Sequence, residues 1–154
     1  MTLEAAALIS ADEQTVLCWH LPVGRTSASV PGDAALGPDD LLVLLVRHRP
    51  YMAGTAHSHP GGGVPGPSWT DITTYAAVEK YFRCRFKHWI ASMDRMVVVT
   101  WSGPDRYDYT VTVVDEDKEP AWSAELRHKS ASQSVEGQQQ MLGRPMRRAV
   151  AGKG

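Results

Sequence analysis

His57-Ser58-His59-Pro60, then Gly61-Gly62-Gly63-Val64-Pro65-Gly66-Pro67, then Ser68-Trp69-Thr70-Asp71 is the stretch from which the rest of this 154-residue chain is read. Histidines at i and i+2 share one face of an extended segment, so both imidazoles can reach a single metal ion. The glycines and prolines that follow let the backbone bend back sharply. Asp71 then stands at a helix start, where its carboxylate completes a His-His-Asp set. Three protein ligands with a fourth position open is the stoichiometry of a catalytic zinc site, whereas structural zinc sites are closed by four. Ser68 with an acidic residue three positions on is also a helix-capping signature. The two readings coexist, because a capped helix start is a rigid place from which to present Asp71.

These residues resemble the signature of the JAMM (MPN-plus, JAB) zinc metallopeptidases: an upstream Glu, His-x-His-Pro, then Ser-x-x-Asp. In this chain they are Glu13, His57-Ser58-His59-Pro60 and Ser68-Trp69-Thr70-Asp71, and the resemblance runs from about Ser10 to about Val114. The loop between His59 and Ser68 is one residue longer than the family usually has, a change that costs little closure entropy. The resemblance implies an α/β (α+β) fold of the single-domain MPN/JAB type. That is a mixed, mostly antiparallel sheet flanked by helices, in a cytidine-deaminase-like architecture. It also implies Zn2+ held by His57, His59 and Asp71, Glu13 as general base and Ser68 as donor to the developing oxyanion. The reaction would be hydrolysis of a peptide or isopeptide bond in a protein or peptide substrate. Family substrates include bonds after the C-terminal glycine of a ubiquitin-like modifier or sulfur-carrier protein. Gln14-Thr15-Val16-Leu17 replaces the Gly and Leu pattern that often follows the family's Glu, and Glu4 is the rival for the base.

Other function classes fit less well. A zinc nucleobase deaminase needs His-x-Glu with Pro-Cys-x-x-Cys, and a thermolysin-like protease needs His-Glu-x-x-His; neither pattern occurs. The non-enzymatic alternative is an MPN scaffold, an interaction module or a phage-tail assembly protein. Such scaffolds usually lack the ligand set that is retained here. A formal net charge of −1 argues against a dominant nucleic-acid or membrane-surface role. Cys18 and Cys84 lie far apart, without a C-x-x-C pattern, and are expected to be buried free thiols. No apolar run reaches transmembrane length and no signal-peptide pattern opens the chain, so a cytoplasmic location is the default expectation.

The sequence predicts one domain over residues 1–122 and a basic, Ser/Gln/Gly-rich disordered tail over 123–154. Met1 to Ser10 is ambiguous between helix and strand. Gln14 to Leu21 reads as a strand paired in a hairpin with Arg25 to Val30. Pro38-Asp39-Asp40 opens a helix whose Leu41-Leu42-Val43-Leu44-Leu45-Val46 is apolar all round and therefore well buried. Tyr51 to Ala56 is a strand that delivers the histidine pair, and Asp71 to about Arg83 is an amphipathic helix. His88–Ser92, Met96–Trp101 and Tyr107–Val114 are three further strands. Trp89, Trp101, Tyr107 and Tyr109 are expected in the core or on a sheet face, and His20, His48, His88 and His128 in structural roles.

Overall fold

The computed structural model describes residues 4–20 and 41–131, an α+β domain built on one six-stranded mixed sheet. In chain order the elements are β1 (Ala6–Ser10), β2 (Val16–His20), α1 (Leu41–His48), β3 (Met52–Ser58), α2 (Trp69–Phe82), β4 (Lys87–Ala91), β5 (Met96–Trp101), β6 (Tyr109–Val113) and α3 (122–131). The strand order is β2-β1-β3-β4-β5-β6. Only β3 and β4 run parallel, joined through α2; every other neighbouring pair is antiparallel. That matches the mixed, mostly antiparallel sheet with flanking helices expected above.

Side chains alternate across the strands and so build two cores. On one face Ala7, Ile9, Ala56, Trp89, Ala91 and Met96 pack against Trp122 and Leu126 of α3. On the other, Leu8, Met52 and Phe86 pack against Leu44 and Leu45 of α1 and Val78 of α2, while Tyr75 of α2 meets Ile90, Val97 and Val99. The ambiguous N-terminal stretch is a strand. Lying between β2 and β3, β1 is buried on both faces, so pairing overrides alanine's helix preference.

Three expectations bear on the fold, and two of them are corrected. First, the expected hairpin of β2 with residues 25–30 lies outside the described residues; β2 pairs with β1, reached through a tight turn in which the Asp12 carboxylate accepts from Gln14 N, Thr15 N and Thr15 Oγ1. Those bonds, that to Gln14 foremost, hold the Asp12 carboxyl below its usual range. Residues 38–40 also lie outside the described residues. Second, α1 is not buried all round: only Leu44 and Leu45 are buried, and Val46 is 54% exposed, because the helix lies on one side of the sheet. Cys18 and Cys84 are likewise half-buried rather than fully buried, though both are free.

Third, the domain does not stop at 122. Helix α3 docks with Trp122 and Leu126 in the core, and Arg127 donates to Ser92 O (2.6 Å) and Arg95 O (3.1 Å) while pairing with Glu119 (2.8 Å). Two apolar residues four apart, in a segment otherwise polar, were enough to bury one helix face. Residues 132–154, the rest of the expected tail, lie outside the described residues. Leu126→Ala should therefore cost about 2–5 kcal/mol in urea denaturation, the range for an enclosed leucine; a loss below about 0.5 kcal/mol would mean that α3 does not close this core. Among the described residues, no helix is long and apolar enough to cross a membrane.

Candidate metal centre

His57 and Ser58 end β3, and His59 follows with its backbone N–H donating to Ala91 O of β4 (2.9 Å). The loop after Pro60 is pinned to the β4–β5 turn. Met93 N donates to Gly61 O (2.9 Å), Gly63 N to Asp94 Oδ1 (2.7 Å) and Ser92 Oγ to Gly63 O (2.5 Å). Gly61 and Gly63 take φ of 91° and 83°, values that glycine adopts without strain, and so permit the return path. The chain then reaches α2 with Ser68 as N-cap. Ser68 Oγ accepts from Asp71 N (3.0 Å), and Asp71 Oδ2 accepts from Ser68 N (2.9 Å), a complete capping box.

Through that box Asp71 faces the histidines. Its Oδ2 lies 3.1 Å from His59 Nε2 and 3.5 Å from His57 Nε2, and the two Nε2 atoms are 3.0 Å apart. Ligand atoms at zinc distances in a tetrahedral set are about 3.3 Å from one another. The three sides of this triangle bracket that spacing, so the donor set is of the kind and size that could hold a divalent metal ion such as zinc. Electrostatics agree. Burial pushes the Asp71 carboxyl up, but bonds from His57 and His59 outweigh it and hold the group well below the usual carboxylate range. The Asp71 bond, against burial, raises His59 above its ordinary value. Positive charge is favoured at this point.

A second carboxylate stands beside the triangle. Glu4 Oε2 is 4.0 Å from His59 Nε2, and the ligand atoms of Glu4, His57 and His59 all lie within 4.8 Å of one another. Register explains its position. β1 runs antiparallel to β3 with Ala6 opposite His57, so the residues before β1 reach the end of β3. Ser58, buried between the two histidines, fixes that junction: its N–H donates to Ala5 O (3.0 Å) and its Oγ accepts from Ala5 N (2.9 Å).

Glu13 is at the other end of β1. It occupies the β1–β2 turn, next to Ser10, which pairs with Met52 at the start of β3. Five residues of strand, about 17 Å, separate that level from His57. Its carboxylate accepts from Lys87 Nζ (2.7 Å) and its carbonyl from Trp122 Nε1 (3.0 Å), which ties the turn to β4 and α3. The structure thus brings His57, His59, Ser68 and Asp71 together, adds Glu4, and leaves Glu13 out. The signal for Glu4 was the order of the strands: a carboxylate preceding the strand, not following it, is the one that meets the end of β3.

Behind His57 lies a cavity of about 50 Å³, lined by Glu4, Asp71 and Tyr75 together with apolar Leu8, Leu45 and Val78. The Tyr75 hydroxyl is buried without a hydrogen-bond partner among the described residues, and burial raises its phenol well above the ordinary value. The cavity has room for a few water molecules to satisfy it. Tyr75 stacks on His88 (centroids 3.8 Å apart, planes at 7°) and its ring lies 6.5 Å from that of His57. Near the capped end of α2, Trp69 is 65% exposed and meets Tyr107 edge-on, so Tyr107 is a surface aromatic, not a core one. No protein-family model matches this chain, and no curated protein matches it in sequence.

Proposed function

We propose that this domain is a zinc-dependent metallo(iso)peptidase of the JAMM (MPN-plus, JAB) type, with the MPN/JAB fold in its cytidine-deaminase-like architecture. The carrying observation is the convergence of His57 Nε2, His59 Nε2 and Asp71 Oδ2 with the Glu4 carboxylate 4.0 Å from His59. The mixed sheet, with helices on both faces and the histidine pair at the end of a central strand, supports the same reading. His57, His59 and Asp71 would hold the ion. Bound zinc supplies Lewis acidity, lowering the pKa of water and polarising a carbonyl.

The remaining work falls to this chain's side chains. Glu4, in the place expected of Glu13, is the general base: it takes the proton of the attacking water and returns it to the leaving amine. Ser68 Oγ uses a lone pair for the cap, and its own proton has no acceptor among the described residues. That proton is the donor to the developing oxyanion. Asp71 is held to one rotamer by the capping box, and so keeps the donor triangle in shape. The substrate is a protein or peptide amide whose extended chain approaches over the exposed Gly-rich loop, with glycine at the scissile position as in ubiquitin-like modifiers.

Metal content tests the reading. Purified protein is expected to hold about one zinc per chain, and His57→Ala and Asp71→Ala to weaken uptake at least about 100-fold. Elemental analysis without metal, and titration without uptake, would overturn the enzyme and leave a scaffold. Loss of zinc in Glu4→Gln with retention in Asp71→Ala would exchange the roles of the two carboxylates.

A further inference from the structure

Far from the histidine pair, the other end of α2 forms a second feature of a different kind. An open cleft of about 550 Å³ is lined by Lys80, Arg83, Arg85 and Arg106, with Trp101 and a single carboxylate, Glu79. Arg83 is 12 residues along from Asp71, which at helical rise puts the cleft about 18 Å from the centre. Four cations and one acid line it, so the lining itself carries a net positive charge in a protein whose formal net charge is −1.

Two of these residues are held in defined geometry, the first of them in a strained backbone conformation. Arg83 ends α2 in the left-handed region (φ 55°, ψ 41°), where glycine or asparagine is the ordinary choice. Its backbone N–H donates to Glu79 O and Lys80 O, and a glycine would make the same bonds. Those bonds do not use the arginine side chain, which places a cation at the negative end of the helix and beside the cleft. Arg85 is fixed between the Glu79 carboxylate (2.9 Å) and the Trp101 ring (3.9 Å). That pair leaves a planar donor fork presented in one orientation. Lys80, Arg83 and Arg106 have no acidic partner within ion-pair distance among the described residues.

We propose that this cleft is a docking site for an acidic polypeptide segment, with Lys80, Arg83 and Arg106 binding its carboxylates and Arg85 orienting them. Nucleic acid is the poorer occupant. Binding of single strands relies on open aromatic faces for base stacking, and the Trp101 face in the cleft is already covered by Arg85. Carboxylates need only the fork and the charge. The assignment uses no feature of the metal centre and its test reads no hydrolysis, so it stands or falls separately.

The test is fluorescence anisotropy of a labelled alternating glutamate–glycine peptide against the full chain. Binding is expected at low salt, weakening several-fold between about 50 and about 200 mM salt. The double reversal Lys80→Glu/Arg106→Glu should weaken it at least about tenfold, whereas Lys118→Glu, outside the cleft, should leave it within about twofold. Arg83→Gly gives the sharper reading: affinity should fall several-fold while Tm stays level or rises by a few degrees, because glycine relieves the cap. A lowered Tm with unchanged affinity would make Arg83 structural and overturn the proposal. So would equal binding by the double reversal, no binding at about 1 mM peptide, or tighter binding of an oligothymidylate of matched charge.

Discussion

Glu4→Gln is expected to slow hydrolysis steeply while leaving zinc content intact, and Glu13→Gln to leave both nearly unchanged. A general base contributes roughly 10²–10⁴-fold, so the loss in kcat should fall in that range. The reason is positional. Glu4 precedes β1 and reaches the end of β3, whereas Glu13 sits in the turn at the opposite end, bound to Lys87. Gln preserves the size of the side chain and removes its charge and its capacity to take a proton. The assay is cleavage of a panel of ubiquitin-like modifier fusions and isopeptide-linked conjugates ending in Gly-Gly, read by mass spectrometry with and without a zinc chelator. Full activity in Glu4→Gln with loss in Glu13→Gln would refute the assignment. Chelator-resistant cleavage would refute the metal mechanism as well.

The second large effect concerns stability. Glu79 has a fully buried side chain, yet its carboxylate accepts from Tyr109 Oη (2.5 Å), Arg85 Nη1 (2.9 Å), His88 Nε2 (2.8 Å) and Phe86 N (3.2 Å). Burial favours the neutral His88 imidazole; with its Nε2–H donating to the Glu79 carboxylate, Nδ1 is left as the acceptor for Thr55 Oγ1 (2.8 Å). Glu79→Ala would leave four donors facing an empty site and should cost about 3–5 kcal/mol, the loss typical of breaking a buried charged network. A change below about 1 kcal/mol by urea denaturation would show that water replaces the carboxylate at no cost.

The same network sets a pH dependence. Burial lowers the His88 pKa below its ordinary value, and burial of Glu79 is outweighed by its hydrogen bonds, of which that from His88 is the largest, so its carboxyl is also lowered. Both groups therefore contribute stability that is present above their unfolded values and lost as acid is added. For His88 the loss begins near pH 6.5, and for Glu79 near pH 4.5, as the unfolded chain takes up protons that the folded chain does not. His88→Asn should flatten the first part of this curve; an unchanged slope between about pH 7.5 and 5.5 would assign it to other groups.

Much of the sheet was legible from local pattern. The β-branched and aromatic runs of β2, β4, β5 and β6, and the apolar stripe of α2 with its Ser68 cap, are local signals, and each element lies within a few residues of its expected place. The histidine pair and Asp71 were legible for a related reason: all three fall in one β3–loop–α2 passage, so spacing alone brings them near one another. Glu79 was missed in the sequence; the signal that could have found it is an acidic residue on the buried face of α2, three positions after Ala76 and four after Tyr75. Its partners Arg85, His88 and Tyr109 come from the following loop and from β4 and β6.

The local elements, and the three donors that share one short passage of chain, are written in the residues themselves. Which distant groups meet them depends on how the elements pack. The antiparallel register of β1 against β3 chooses Glu4 over Glu13, and the docking of Trp122 and Leu126 makes a helix of residues that composition assigns to a tail. The physical reason is the same in both cases. A strand's direction and a helix's landing face are set by burial against neighbours remote in sequence, and neither carries a signature in the residues beside it.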